Sequence, residues 1–198
     1  MGRIDIGDQR RPQIIAAAKR VISRHGIDGA TQERIAEEAG MTRPHIRHYL
    51  GNREELLDAV WAATVGEYVR SVEEVTAVSG SHAEIAQSFD RLLELSFVYE
   101  EDDAVILAYL HKAREDERVR SRTHETYAYV EQCIARLLRA ASPEATIEQI
   151  ASRAHALMAL SMGAIMLDLL NPSEPRADRL IATAAALLPA DEVASAGR

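Results

Sequence analysis

Disulfide bonds are the first feature that this sequence excludes. Its 198 residues contain one cysteine, Cys133, so no intramolecular disulfide can form and a reducing compartment is indicated. Phe, Trp and Tyr together make up 5% of the chain, whereas Ala, Leu, Ile and Val are abundant. This composition favours packed helices over a β-sandwich.

Long apolar runs are also missing. The first residues, MGRIDIGDQRRPQ, contain no apolar stretch of the kind found in signal peptides. The most apolar segment, residues 154–170, is shorter than the roughly 20 residues that a bilayer span requires, and His155 and Asp168 interrupt it. We therefore expect a cytoplasmic protein in which this segment is a buried helix.

Catalytic and metal-binding motifs are not apparent in the chain. There is no His-Glu-x-x-His motif, no pair of cysteines and no glycine-rich phosphate loop. His111 and Glu115 are one helical turn apart, but two such residues in a charged helix are usually a surface pair rather than metal ligands. We expect neither enzymatic activity nor a bound metal or cofactor.

Charge is distributed unevenly along the chain, whose formal net charge is −8. Residues 1–62 carry 10 basic and 9 acidic side chains, whereas the rest of the chain carries 13 and 22. Residues 40–53 contain no Asp or Glu, and we call them the acid-free segment. An otherwise acidic protein can dock such a segment on DNA phosphates and hold the remainder away.

Apolar periodicity predicts helices throughout, and no strand pattern is present. The first helix begins near Arg10 and ends at Gly26, and Thr31 caps a second helix that ends at Gly40. A short third helix follows, and Asn52 caps the long fourth helix. The remaining helices are predicted at residues 82–99, 103–112, 116–141, 143–170 and 175–188. We therefore predict an all-α chain of about nine helices.

The segment from Thr31 to Tyr49 has the pattern helix, tight turn, helix, with Gly40 in the turn. In a DNA-binding helix-turn-helix, the second helix enters the major groove while the first crosses the phosphate backbone. Ile46 and Leu50 anchor the second helix on its inner side. Its outward polar residues are Thr42, Arg43, His45, Arg47 and His48.

Residues 10–61 resemble the N-terminal DNA-binding domain of TetR-family transcriptional regulators. The resemblance is carried by an amphipathic first helix followed, in order, by G-x-x-x-x-T, I-A-x-x-A-G-M and L-G-N-R-E-E-L-L. It implies a helix-turn-helix domain at residues 1–53 and a ligand-binding and dimerisation domain at residues 54–198. The DNA-contact residues that it implies are Thr31, Gln32, Arg43, Pro44, His45, Arg47, His48, Tyr49 and Arg53. We add Thr42, which faces outward at the start of the second helix of the motif.

Three positions depart from the family pattern. Arg47 stands where the family usually has an aromatic residue, Leu50 where it has Phe, and Arg53 where it has Lys. A guanidinium in place of an aromatic ring predicts an uncommon operator sequence. Arg43 is the strongest candidate for reading a guanine, because Arg can pair bidentately with the two major-groove acceptors of that base.

The rest of the chain carries no recognisable motif, as expected if it senses a ligand particular to this protein. Its aromatic and sulfur-containing side chains either line an apolar pocket or form ordinary core, and the sequence leaves both possibilities open. The pocket candidates are Trp61, Tyr68, Phe89, Phe97, Tyr109, His111, Tyr127, Met158 and Met162.

The last two predicted helices carry stripes of small and apolar residues. The family resemblance implies a four-helix contact between two copies there, although the same stripes can also be intramolecular core. The stripe residues are Ala151, Ala154, Met158, Ser161, Ile165, Leu169, Ala182 and Ala185. In a two-fold dimer, two recognition helices match successive major grooves of a palindromic operator.

These features together predict a dimeric transcriptional regulator, by family default a repressor that a small molecule releases from its operator. Two alternatives stay open. The first is a DNA-binding regulator or activator that needs no ligand. A core without a ligand-sized cavity in residues 54–198 would favour this alternative. The second is a helical enzyme with a vestigial DNA-binding head, which a polar catalytic cluster in the body would favour.

Overall fold

The computed structural model describes residues 6–77, 81–97, 102–170 and 183–184. The secondary structure of these residues is helical, and the all-α prediction is confirmed. The helices are α1 (Ile6–Gly29), α2 (Gln32–Ala39), α3 (Arg43–Leu50), α4 (Arg53–Thr76), α5 (His82–Phe97), α6 (Asp103–Lys112), α7 (Glu117–Ala141) and α8 (Ile147–Leu170). The ninth predicted helix, residues 175–188, lies outside the described residues except for positions 183 and 184.

Capping side chains start α2 and α4 where the sequence predicts them. The Thr31 hydroxyl accepts the N–H of Arg34 at 3.3 Å. Asn52 Oδ1 accepts the N–H groups of Glu54 at 2.8 Å and Glu55 at 3.0 Å, and the Glu55 carboxylate accepts the N–H of Asn52 at 2.8 Å. The predicted cap of α4 by Asn52 is therefore confirmed, and Glu55 completes a capping box.

Two glycines with positive φ shape the chain around α2. Gly26 interrupts the regular helix of α1 with φ 68°, and Gly40 follows α2 with φ 64°. The N–H of Gly40 donates to the Glu37 carbonyl at 3.1 Å, and the N–H of Met41 donates to the Ala36 carbonyl at 2.8 Å. Left-handed backbone is open to glycine without steric cost, so α2 ends where the sequence predicts.

The start of α8 was predicted wrongly. The sequence suggested a start at Pro143, but the helix begins at Ile147. The Thr146 hydroxyl accepts the N–H of Gln149 at 3.2 Å, and Gln149 Oε1 accepts the N–H of Thr146 at 2.9 Å. This reciprocal pair satisfies two N–H groups that a helix start otherwise leaves open, which fixes the start after Thr146.

The chain divides into two compact units. We call residues 1–67 with 101–123 the head unit and residues 68–100 with 124–198 the body unit. Helices α4 and α7 have residues in both units. The domain boundary after residue 53 stays a prediction.

The core of the head unit combines α1 to α4 with α6. Its fully buried side chains include Ile14, Ile22, Ile35, Ile46, Leu56, Val60 and Trp61. Trp61 packs against Tyr109 of α6 with the ring centroids 4.9 Å apart and the ring planes tilted by 38°, and the Tyr109 hydroxyl donates to the Leu57 carbonyl at 2.7 Å. A helix distant in sequence therefore completes the core beneath the helix-turn-helix.

Ion pairs fasten α6 and the start of α7 within the head unit. Lys19 of α1 pairs with Asp102, and Lys112 pairs with Asp28 at 2.7 Å. The hydrogen bond from Lys112 holds the pKa of the Asp28 carboxyl below its ordinary value. Arg118 of α7 bridges two carboxylates of α4. Residues at both ends of α6 are thus tied to α1.

The body unit has its own apolar core. Phe89 of α5 and Met158 of α8 are buried in it, together with the buried thiol of Cys133. Tyr68 and Tyr127 are partly buried against the same cluster.

Replacing Tyr109 with Phe keeps the ring and removes the hydroxyl that bonds the Leu57 carbonyl. We expect the free energy of unfolding at neutral pH to fall by about 0.5–1.5 kcal/mol, the range for one hydrogen bond. Urea titration followed by circular dichroism measures this change. An unchanged midpoint would show that the hydroxyl contributes nothing to the head core.

The same pair of proteins tests the burial of this hydroxyl. Burial, aided by the charge of Asp58, raises the pKa of Tyr109 above its ordinary value of 10.0. Above that pH the unfolded chain loses the phenol proton and the folded chain keeps it, so the wild type loses stability as pH rises, by up to about 1.4 kcal/mol per pH unit. Tyr109→Phe has no phenol proton to lose. The difference in the free energy of unfolding between the wild type and Tyr109→Phe should therefore become smaller as the pH rises above 10.0, the ordinary pKa of tyrosine.

Candidate nucleic-acid interface

Two eight-residue helices, α2 and α3, meet at the turn around Gly40. Ile35 and Ala39 of α2 are buried beneath them, as are Ile46 and Leu50 of α3. The predicted helix-turn-helix is confirmed, and the acid-free segment spans its turn, all of α3 and the first residue of α4.

The outer face of α3 is set by its two anchors. Successive residues of an α-helix are about 100° apart, so Pro44 and His48 lie opposite the buried Ile46. Arg43 and Arg47 follow one flank of the helix. The predicted outward residues Thr42, Arg43, His45, Arg47 and His48 are all exposed, and so is Pro44.

The opposite flank of α3 carries His45 and Tyr49. His45 Nδ1 lies 3.3 Å from the Thr42 hydroxyl, which holds the imidazole at the start of the helix. Tyr49 is half-buried, and the His48 ring meets its ring edge-on with centroids 4.9 Å apart. The flank therefore combines ring surface with hydrogen-bonding nitrogen and hydroxyl groups.

Arg43, the predicted guanine reader, is engaged with α2. Its Nη1 lies 2.8 Å from the Glu33 carboxylate, and its Nε donates to Gln32 Oε1 at 3.5 Å. The two charged side chains are 62% and 59% exposed. Because the pair is largely solvated, it can open when a stronger partner approaches. Glu33 was not predicted as part of this surface, because its only signal in the sequence is its place in the first turn of α2.

Gln32, one of the DNA-contact residues that the family resemblance implies, has a largely buried side chain. It is 9% exposed, and its Nε2 donates to the Gly51 carbonyl at 3.2 Å. The side chain thus joins the start of α2 to the end of α3. Thr31 caps α2 by accepting the N–H of Arg34, and helix geometry directs the N–H groups of Gln32 and Glu33 outward from the helix end.

Arg53 braces the loop that precedes α2. Its two terminal nitrogens donate to the carbonyls of Ala30 at 2.6 Å and Ile27 at 2.5 Å. A planar guanidinium can hold two acceptors at once, which a lysine in this position cannot do with the same geometry.

The first helix contacts the ends of both helices of the motif. Arg11 Nη1 donates to the Tyr49 carbonyl at 2.7 Å, and Gln13 Nε2 donates to the Ala39 carbonyl at 3.0 Å. These side chains satisfy carbonyls that helix ends leave open. Neither contact was predicted, since neither Arg11 nor Gln13 belongs to the helix-turn-helix motif.

The predicted pocket residues fall in both units. In the head unit, Trp61 and Tyr109 are core residues and His111 is exposed. The body unit contains Tyr68, Phe89, Tyr127, Met158 and Met162. The side chain of Phe97 lies outside the described residues. The ligand pocket stays a prediction.

A surface cavity of about 440 Å³ lies between α1 and α6. It is lined by Ala16, Lys19, Arg20, Ser23, Arg24, Asp102 and Val105, and none of the predicted pocket residues is among them. A smaller cavity of about 60 Å³ lies beside Tyr109 and Arg118. Within the ranges that the structure describes, no three His, Cys, Asp or Glu side chains converge as metal ligands.

The predicted contact stripe on α8 faces mainly inward. Ala154, Met158 and Ser161 are 0%, 8% and 6% exposed within the body unit, the intramolecular alternative that the sequence left open. Ala151 is exposed and Ile165 is half-buried. Outside the described residues lie the side chain of Leu169 and all of Ala182 and Ala185.

A different face of α8 is exposed, so the helix is less buried than expected. Met166 is 57% exposed and Leu170 is 81% exposed. The face consists of Ala151, Ser152, His155, Ala159, Met166 and Leu170. Among the described helices, α8 alone is long and apolar enough to cross a membrane, a property that core helices of globular proteins share.

Family models match both parts of the chain. Residues 14–60 match the model for bacterial regulatory proteins of the tetR family. Residues 82–190 match the model for the C-terminal region of BetI-type transcriptional repressors.

Individual proteins agree with these matches. The chain is 31% identical over 173 residues to the nicotine-responsive transcriptional repressor HdnoR of Paenarthrobacter nicotinovorans, covering 84% of this chain and 87% of that protein. It is 25% identical over 190 residues to the transcriptional regulator BetI of Vibrio parahaemolyticus, covering 90% of each.

Solved structures share the fold. A transcriptional regulator from Pseudomonas aeruginosa superposes with a TM-score of 0.79 at 22% identity, over 96% of this chain and 92% of that one. A regulator from Saccharomonospora viridis, solved with choline, superposes with a TM-score of 0.73 at 20% identity, over 90% and 95%. With its helix-turn-helix and its two family matches, the chain belongs to the TetR family of ligand-responsive, DNA-binding transcriptional regulators.

Proposed function

We propose that the chain is a homodimeric cytoplasmic repressor that grips a palindromic operator with α3 and releases it when a small molecule binds. The observation that carries this proposal is the exposed, acid-free outer face of α3, anchored by the buried Ile46 and Leu50. A relative that is a nicotine-responsive repressor supports repression relieved by a small molecule.

The head unit offers two kinds of DNA contact. The capped N-terminus of α2 suits a phosphate, with Thr31 and the backbone N–H of Gln32 as donors. The outer face of α3 suits the major groove, and Pro44 and His48 reach deepest. We assign the flanks to further base and phosphate contacts, from Thr42, Arg43, His45, Arg47 and Tyr49. Arg53 contributes by bracing the loop before α2, and a phosphate contact would add to that role.

Arg43 must exchange Glu33 for a guanine. An exposed ion pair contributes about 0.2–1 kcal/mol, and a bidentate contact with guanine contributes about 1–3 kcal/mol of discrimination. At the operator, the Arg43 guanidinium therefore binds the guanine in preference to Glu33. On other DNA the gain is small, and Glu33 retains the guanidinium.

The exposed face of α8 suits a second copy of the chain. Ala151 and Ala159 permit close approach of another helix, and Met166 and Leu170 supply apolar surface at one end. A two-fold contact presents the same face on both copies, and it delivers the two recognition helices that a palindromic operator requires.

We assign the effector to the body unit. Tyr68 and Tyr127 are partly buried beside Phe89 and Met158, and Met162 of α8 is half-buried. Aromatic and sulfur-containing side chains at the edge of an apolar core suit a small organic molecule. The effector acts through its difference in affinity between DNA-competent and incompetent states, typically about 1–3 kcal/mol.

Arg43→Ala is expected to reduce discrimination between the operator and other DNA by about tenfold or more, because the bidentate contact is lost. The operator probe is a duplex recovered from a random-sequence pool by the wild-type chain, and a scrambled duplex serves for comparison. Band shifts measure both affinities. Arg24→Ala is the matched control, since Arg24 is also an exposed head arginine paired with a carboxylate. If Arg43→Ala and Arg24→Ala discriminated equally between the operator and scrambled DNA, the assignment of α3 to operator recognition would be refuted.

Glu33→Gln is expected to strengthen binding to the operator and to scrambled DNA, because Arg43 loses its competitor and the head gains one positive charge. Fluorescence anisotropy on both duplexes measures the change. Glu37→Gln, an exposed glutamate farther along α2, gives the effect of net charge alone. If the two variants gained affinity equally, the ion pair would have no role of its own.

Ala159→Glu is expected to convert the dimer to a monomer, because it buries a carboxylate at the centre of the α8 contact. Size-exclusion chromatography with light scattering should give twice the chain mass of 21.9 kDa for the wild type and the single mass for the variant. Ala62→Glu, at an exposed alanine of α4, should stay dimeric. A dimeric Ala159→Glu would exclude this face.

A further inference from the structure

We propose that Arg10 and Arg11, in the first turns of α1, form a second phosphate-binding site that grips the DNA backbone beside the C-terminal end of α3. The proposal rests on the proposed use of α3 in DNA binding. The ligand is a backbone phosphate, which these residues contact whatever the base sequence.

The position of these arginines is fixed by contacts across the motif. Arg11 reaches the carbonyl of Tyr49, the last but one residue of α3, at 2.7 Å. Gln13, two residues further on, reaches the Ala39 carbonyl at the end of α2. The start of α1 is therefore held against the ends of both helices, with the Arg11 guanidinium beside the end of α3 and the exposed Arg10 one residue before it on α1.

The dimensions of the groove bring a phosphate to this point. α3 has eight residues and is therefore about 12 Å long, and the major groove of B-DNA is about 12 Å wide. When α3 occupies the major groove, each of its ends therefore lies near one of the two phosphate backbones that border the groove. The capped start of α2 serves one contact, and the arginines beside the end of α3 are placed for another.

The charges of the two arginines are available for this contact. Arg20 and Arg24, farther along α1, both pair with Glu38, and Arg43 pairs with Glu33. Neither Arg10 nor Arg11 pairs with a carboxylate whose side chain the structure describes. Arg10 donates to Gln13 Oε1 at 2.8 Å, which orients the guanidinium and uses one of its five N–H donors.

Arg11 also has a structural role, because it satisfies a carbonyl at the end of α3. Removing it therefore disturbs the recognition helix as well as the phosphate contact. Among the described residues, Arg10 bonds the exposed Gln13 of its own helix and not a carbonyl of α3, so substitutions at Arg10 leave the bond from Arg11 to Tyr49 in place.

The test uses the full-length chain and its variants Arg10→Ala and Arg10→Lys, with Arg24→Ala as the control. Fluorescence anisotropy on the selected operator duplex and on the scrambled duplex gives the affinity at salt concentrations from about 50 to 200 mM. Each phosphate contact contributes about 0.9 to the slope of log K against log salt. Arg10→Ala should lower that slope by about 0.9 per protomer on both duplexes and leave their affinity ratio unchanged.

Arg10→Lys keeps the positive charge and should retain most of the slope. An unchanged slope in Arg10→Ala, or a slope that Arg24→Ala lowers equally, overturns the proposal. A changed affinity ratio overturns it too, since a phosphate contact carries no sequence information. The proposed function fails separately, by unchanged discrimination in Arg43→Ala.

Discussion

The DNA-binding surface depends on the burial of Ile46 and Leu50, which are 0% and 3% exposed. An eight-residue helix is too short to persist in water by itself. Burying side chains of this size contributes about 1.5–3 kcal/mol each, and this packing gives α3 its stability. Once the two anchors are in place, the helical period fixes the direction of every other side chain. The burial of Ile46 and Leu50 therefore decides which side chains of α3 face the DNA.

Local rules account for what the sequence predicted well. A capping hydroxyl at Thr31, a capping box at Asn52 and a left-handed glycine at position 40 each act within four or five residues, so their effects are visible in the chain itself. The same rules explain the wrong start of α8. Both Pro143 and Thr146 suit a helix start, and the reciprocal bond with Gln149 decides between them.

Contacts between helices could not be predicted in this way. The sequence shows the charges of Arg43 and Glu33, but their meeting depends on the angle at which α2 and α3 cross. α8 presents a similar problem, since it is apolar on more than one side. Burial within the unit selects Ala154 and leaves Ala159 exposed, a choice that depends on helices elsewhere in the chain.

The closure of the head core by α6 bears on how such regulators can be recombined. Trp61 packs against Tyr109, and the Tyr109 hydroxyl donates to the Leu57 carbonyl across 52 residues of sequence. A chimera that joined this helix-turn-helix to a foreign body at one crossover would separate these partners and leave the underside of the head unfilled. Substitutions on α3 therefore change operator specificity with less disturbance of the head unit's core than transplantation of the helix-turn-helix. A transplant that keeps this core must carry residues 102–123 with it.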